Sequence, residues 1–245
     1  MAELKTNTRK NIAVIFAGGV GKRMNSTDLP KQFLKCKDKP VIVYTLEKFN
    51  NNPLISGIVL VMLKDYIDYS KELIKEYKLD KVIDVVEGGE TCQDSIYNGI
   101  KKAHDLYDDA VVLIHDGVRP LIDDKTIEDN INSVINNGSA ITVSPAFETI
   151  TIKSDNNLIE KILDRSNCQY ARAPQSFFLK DIYDAHLKAI SENKHDFIDS
   201  AFLMTYYGHS LYSVVGNPEN IKITTPNDYY MFCSLIENKG KNVGQ

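Results

Sequence analysis

The sequence predicts an α/β fold with three layers and a mostly parallel central sheet. Short, nearly continuous apolar runs recur at Ile12 to Phe16, Gly57 to Leu63, Ala110 to Ile114 and Ala140 to Val143. Such runs suit strands covered on both faces, as parallel strands are. Amphipathic stretches of helical length separate them, which implies βαβ units. The chain has 245 residues, 43% hydrophobic and 25% charged, enough to bury one sizeable core. A single domain over residues 1–245 is expected.

Taken in order, the first run leads directly into a glycine-rich loop. Val41 to Phe49 then places Val41, Tyr44, Leu46 and Phe49 near helical spacing. Asp65 to Tyr77, Cys92 to Leu106 and Thr126 to Asn136 read as further helices, and Gly138 as a helix stop. Between about 147 and 178 the pattern changes. Two β-like runs flank the turn cluster Ser154 to Asn157, which predicts a protruding hairpin arm suited to pairing two copies of the chain. Helices near Lys180 to Glu192 and Phe197 to Tyr207, a strand near Leu211 to Val215 and a helix from Pro226 to Glu237 complete the chain. Residues 239–245 are expected to be loosely held.

Composition narrows the function. A net charge of −4 argues against general nucleic-acid binding, which needs a basic excess. Cys36, Cys92, Cys168 and Cys233 form no CxxC pair and no zinc-like spacing. Reduced thiols, a polar N-terminus and no apolar run near membrane-spanning length lead us to expect a cytoplasmic protein.

The loop after the first run reads Ala17-Gly18-Gly19-Val20-Gly21-Lys22-Arg23-Met24. Its glycines permit a tight turn and a close backbone approach, and exposed N–H groups there can cradle phosphate oxygens. Lys22, Arg23 and Lys31 supply three cations, which suits a triphosphate. The loop is not GxxxxGK[ST], because Arg23 follows Lys22. It is not GxGxxG either, because Met24 stands at the third glycine position. A tight turn with solvated cations is the plain alternative for a glycine cluster alone.

The longer phrase AGGVGKRMNSTDLPKQF resembles the signature of the sugar-alcohol-phosphate cytidylyltransferases. The resemblance continues at Gly88-Gly89 with Ser95 to Gly99, HDGVRP from His115 to Pro120 and ETI from Glu148 to Ile150. Asp164-Arg165, Ala173-Pro174-Gln175 and NIKITTPND from Asn220 to Asp228 extend it over nearly the whole chain. It implies a Rossmann-like nucleotidyltransferase domain that joins CTP to a polyol phosphate and releases pyrophosphate, with Mg²⁺ and as a homodimer through the arm.

Residue by residue, the resemblance implies that Arg23, Lys31 and Lys222 stabilise the reacting phosphates, with Lys22 helping at the triphosphate. Ala17, Gly18, Gly19, Gly21, Gly89, Ser95 and Gly117 would form the nucleotide pocket. Asp116 would ligate the metal. Arg119, Glu148, Thr149 and Arg165 would bind the acceptor, Arg165 reaching the partner's site. The attacking phosphate is already an anion, so no general base is needed, and His115 is expected to be structural.

Cys92, Gly117, Glu148 and Glu219 depart from the family's usual residues. LPKQF, DKPVIVYTLEKF and ITTPND look closer to the ribitol branch of the family, which implies D-ribitol 5-phosphate as the preferred acceptor, for teichoic acid or capsule synthesis. 2-C-methyl-D-erythritol 4-phosphate, of isoprenoid synthesis, is the alternative. A catalytically inactive nucleotide-binding regulator is a rival from another class, opposed by the intact Arg23, Lys31, Asp116 and Lys222.

Overall fold

A computed structural model describes residues 9–19 and 29–238. The sheet has seven strands: β1 (Lys10–Ala17), β4 (Gly57–Met62), β5 (Val82–Glu87), β6 (Ala110–Asp116), β7 (Ser139–Pro145), β10 (Gln169–Phe178) and β11 (Ser213–Val215). Two short pairs stand apart, β2 (Lys35–Cys36) with β3 (Lys39–Pro40), and β8 (Thr151–Lys153) with β9 (Ile159–Ile162). The helices are α1 (Val41–Asn51), α2 (Ile67–Glu76), α3 (Cys92–Leu106), α4 (Asp124–Asn137), α5 (Leu179–Ser191), α6 (Ser200–Tyr206) and α7 (Pro226–Glu237).

The spatial order is β11-β7-β10-β6-β1-β4-β5. All neighbours run parallel except β10, which is antiparallel to both β6 and β7. The chain leaves β1 toward β4 on one side and later returns to β6 on the other. The order therefore reverses at β1, and ligands in such sheets bind beyond the carboxyl ends of the strands at that reversal.

Alternation along β1 sets the layers. Ala13 and Ile15 pack with Leu46 of α1, Leu73 of α2 and Ile131 of α4. Ile12 and Val14 pack on the opposite face with Ile100 of α3, Ile182 of α5 and Leu203 of α6. β4 and β6 are buried along their whole length, as parallel strands between two helical layers must be. α7 closes a third cluster in which Phe232 meets Val41, Val118 and Ile223.

Helix ends follow local chemistry. Thr91 caps α3 and Thr225 caps α7, each in a reciprocal box with the aspartate three residues on, Asp94 or Asp228. Gly138 ends α4 with φ of 91°, a left-handed conformation that glycine adopts without penalty.

The sequence reading differs from the structure at several elements. The protruding hairpin is shorter than 147–178, because Gln169–Phe178 joins the main sheet as β10. β5 is an additional strand. The helix expected from Phe197 begins at Ser200, where Asp199 caps it by accepting the Phe202 N–H. No described helix is long and apolar enough to cross a membrane.

Candidate active site

A cleft of about 680 Å³ opens where the sheet order reverses, and Ala17, Gly18, Gly19, Lys31, Gly89, Ser95, Asp116 and Lys222 line it. β1 delivers Ala17 to Gly19 and β6 delivers Asp116, adjacent strands ending at the same level with Phe16 opposite Asp116. Gly89 approaches α3 so closely that a Cβ there would lie 2.3 Å from the Asp94 Cβ. Ser95 Oγ accepts the Gly89 N–H at 3.0 Å, fixing that turn against the helix. Gly117 is placed just behind the cleft wall. Its N–H donates to Phe16 O at 2.9 Å and its carbonyl accepts Thr45 Oγ1 at 2.9 Å. Gly21, Lys22 and Arg23 lie outside the described residues.

Asp116 organises the charge. Its Oδ1 pairs with Lys222 Nζ at 2.5 Å and its Oδ2 with Arg119 Nε at 2.8 Å. Burial alone would raise this carboxyl, but the two cations hold it down at about 2. The site therefore carries an ionised carboxylate at neutral pH with more positive than negative charge around it. Lys31 Nζ donates to Ile223 O at 2.9 Å, which brings a loop cation beside the segment that carries Lys222. Gln32, absent from the sequence-based list, is buried and donates Nε2 to Ala17 O at 2.7 Å, anchoring the start of the glycine loop.

His115 is fully buried, packs its ring 5.0 Å from that of Phe49 and meets Arg119 O at 3.1 Å through Nε2. Burial pushes its pKa down to about 4, so the imidazole is neutral at pH 7. This matches a structural histidine.

A second lobe of about 280 Å³ adjoins the first and shares Phe16, Cys92, Asp116 and Lys222 with it. Arg119, Arg172, Gln175 and Asp199 line its far side. Sequence reasoning missed Arg172, Gln175 and Asp199. The available signal was an arginine just before the Ala173-Pro174-Gln175 phrase, at the point where the β10 register shifts.

The other three expected acceptor residues are elsewhere. Glu148, Thr149 and Arg165 are exposed at the base of the hairpin and line neither lobe. Arg165 Nη1 donates to Phe147 O at 2.9 Å, so the two ends of the arm are tied there.

The chain is similar to known proteins over nearly its whole length. The family described as IspD, 2-C-methyl-D-erythritol 4-phosphate cytidylyltransferase, matches residues 11–237. A ribitol-5-phosphate cytidylyltransferase of Streptococcus agalactiae serotype III is 50% identical over 228 residues, 93% of this chain and 95% of that protein. A 2-C-methyl-D-erythritol 4-phosphate cytidylyltransferase of Clostridium novyi is 40% identical over 230 residues, 94% of this chain and 97% of that protein. The crystal structure of 4-diphosphocytidyl-2C-methyl-D-erythritol synthase from Anaerococcus prevotii superposes with a TM-score of 0.81 at 27% identity, covering 94% of this chain and 99% of that one.

Proposed function

Because the chain belongs to the 2-C-methyl-D-erythritol 4-phosphate cytidylyltransferase family, we propose that it joins CTP to D-ribitol 5-phosphate, giving CDP-ribitol and pyrophosphate. The observation that carries the reaction is the two-lobed cleft whose lobes meet at Asp116 and Lys222. The larger lobe takes the nucleotide and the smaller one the acceptor. The choice of ribitol rests on the 50% identity to a ribitol enzyme against 40% to a methylerythritol enzyme over a similar span.

In this reading an acceptor phosphate oxygen attacks the α-phosphorus of CTP. A new P–O bond forms, the bond to the bridging oxygen breaks, and the electron pair leaves with pyrophosphate. The nucleophile carries no proton that must be removed, which agrees with the neutral, buried His115. The barrier comes from repulsion between anions and from charge growing on the leaving group. Prepositioned cations lower it without reorganising in the reaction. Lys31 and Lys222 serve the nucleotide phosphates, and Arg119 serves the acceptor. Gln32 and Ser95 hold the glycine turns that shape the nucleotide lobe.

Among the described residues, no three His, Cys, Asp or Glu side chains converge as a metal site. The donor set suits Mg²⁺ held by the single carboxylate of Asp116, with substrate phosphates and water completing the shell. When bound, the ion would neutralise charge on the triphosphate. The exposed hairpin would pair two copies of the chain and bring Arg165 of each to the other's acceptor. The four cysteines are free thiols, which supports a cytoplasmic enzyme supplying CDP-ribitol to teichoic acid or capsule assembly.

Pyrophosphate release with CTP and Mg²⁺ tests the reading, with ribitol 5-phosphate and methylerythritol 4-phosphate offered in separate reactions. Rapid release with ribitol 5-phosphate is expected. Release only with methylerythritol 4-phosphate would assign the family's other acceptor, and release with neither would favour the nucleotide-binding regulator.

A further inference from the structure

Resting on that reading, we propose that Arg119 and Arg172 form a two-guanidinium fork that binds the phosphate group of the acceptor in the smaller lobe. One backbone oxygen builds the fork. The carbonyl of Asn220 accepts Arg119 Nη1 at 3.0 Å and Arg172 Nη1 at 3.2 Å. Asn220 is itself buried and donates Nδ2 to Ala173 O at 3.0 Å, so the anchor is fixed to β10. Arg172 is tied twice more, through Nε to Ser144 Oγ at 2.8 Å and through Nη1 to Pro218 O at 3.2 Å.

All the partners of Arg172 are neutral oxygens, and no carboxylate pairs with it among the described residues. Asp116 is already divided between Lys222 and Arg119. Asp199, the other carboxylate in the lobe, accepts from Gln175 Nε2 at 2.9 Å and from the Phe202 N–H at 2.8 Å. The Nη2 groups of both arginines donate to nothing among the described residues.

Two like charges held on one carbonyl repel each other, and burial sharpens the effect. Burial first and Arg119 second push the Arg172 pKa down. A phosphate monoester between them would relieve that repulsion, whereas a neutral polyol would not. Planar guanidinium forks match phosphate oxygens in both geometry and charge. The shared wall of Phe16, Asp116 and Lys222 places an anion on the fork beside the nucleotide lobe, where an attacking phosphate belongs.

The test compares wild type with Arg172→Gln and Arg172→Lys by steady-state pyrophosphate release, and by calorimetric binding of inorganic phosphate without CTP. Arg172→Gln is expected to raise the KM for ribitol 5-phosphate about 10- to 100-fold, since charged hydrogen bonds are lost. The KM for CTP should stay within about twofold. Arg172→Lys should recover only part of the loss, because one ammonium cannot span the same anchors. Phosphate should bind wild type and not Arg172→Gln.

An unchanged acceptor KM in a folded, active Arg172→Gln enzyme would overturn the fork. If Arg172→Gln does not fold, the same split in Arg172→Lys decides. If wild type turns over neither acceptor, the functional reading fails separately, and calorimetry still judges the fork. Equal phosphate binding by wild type and the folded variants would then reject it.

Discussion

Asp116 is ionised although burial alone would raise its pKa, because Lys222 and Arg119 each take one of its oxygens. The carboxylate holds both cations in place at the meeting of the two lobes. Lys31 donates Nζ to a backbone carbonyl of the segment that carries Lys222, Ile223 O. Lys31→Ala should lower kcat roughly 100- to 1,000-fold, the scale of losing one prepositioned charge donor. The KM for CTP should change much less. Steady-state kinetics at saturating acceptor checks this, and an unchanged kcat would remove Lys31 from the chemistry. At this scale the sequence was informative where a motif named the residue, as with Asp116, Lys31 and Lys222. It was silent on Arg172, whose neighbours Ser144, on β7, and Pro218 and Asn220, in the 217–225 segment, come from two segments far from it in sequence. Long-range placement of that kind leaves no local pattern to read.

Among the elements, those with complete local signals were read closely. The bounds of α3 and α7 match the expected ones, with threonine caps at Thr91 and Thr225. β5 escaped because it is an edge strand of mixed burial, so Val82 to Glu87 lacks the unbroken apolar run of β4. β10 was merged with the arm because Ala173-Pro174 interrupts its apolar pattern, and its partners β6 and β7 lie far off in the sequence. The arm that remains, β8 with β9, exposes Ile152, Leu158, Ile159 and Ile162 on a two-stranded sheet. An isolated hairpin is marginally stable, and a cluster of exposed apolar side chains marks an interface. Light scattering should give twice the chain mass of 27.6 kDa. The double variant Ile159→Asp with Ile162→Asp should shift the protein toward the monomer. A wild type that is monodisperse at the single-chain mass would contradict an arm-mediated dimer.

At the scale of the whole molecule, one reversal of strand order accounts for the site. It brings the ends of β1 and β6 together, so the glycine loop and Asp116 face one cleft, while the 217–225 segment returns Lys222 to its mouth. The three-layer class was legible from the short apolar runs alone, because burial on both faces leaves that mark on a sequence. The division of the cleft into two lobes was not, since it depends on where β10 enters the sheet. Acceptor choice belongs to this scale too, as the smaller lobe is walled by β6, β10 and the start of α6. The central claim, cytidylyl transfer with a preference for ribitol 5-phosphate, is tested most directly by competition in one reaction. Equal concentrations of ribitol 5-phosphate and methylerythritol 4-phosphate are offered with limiting CTP and Mg²⁺, and the product ratio is read by mass spectrometry. That ratio equals the ratio of the two kcat/KM values. CDP-ribitol in at least roughly tenfold excess is expected, the scale of one well-placed group in the pocket. An excess of the methylerythritol product would contradict the assignment.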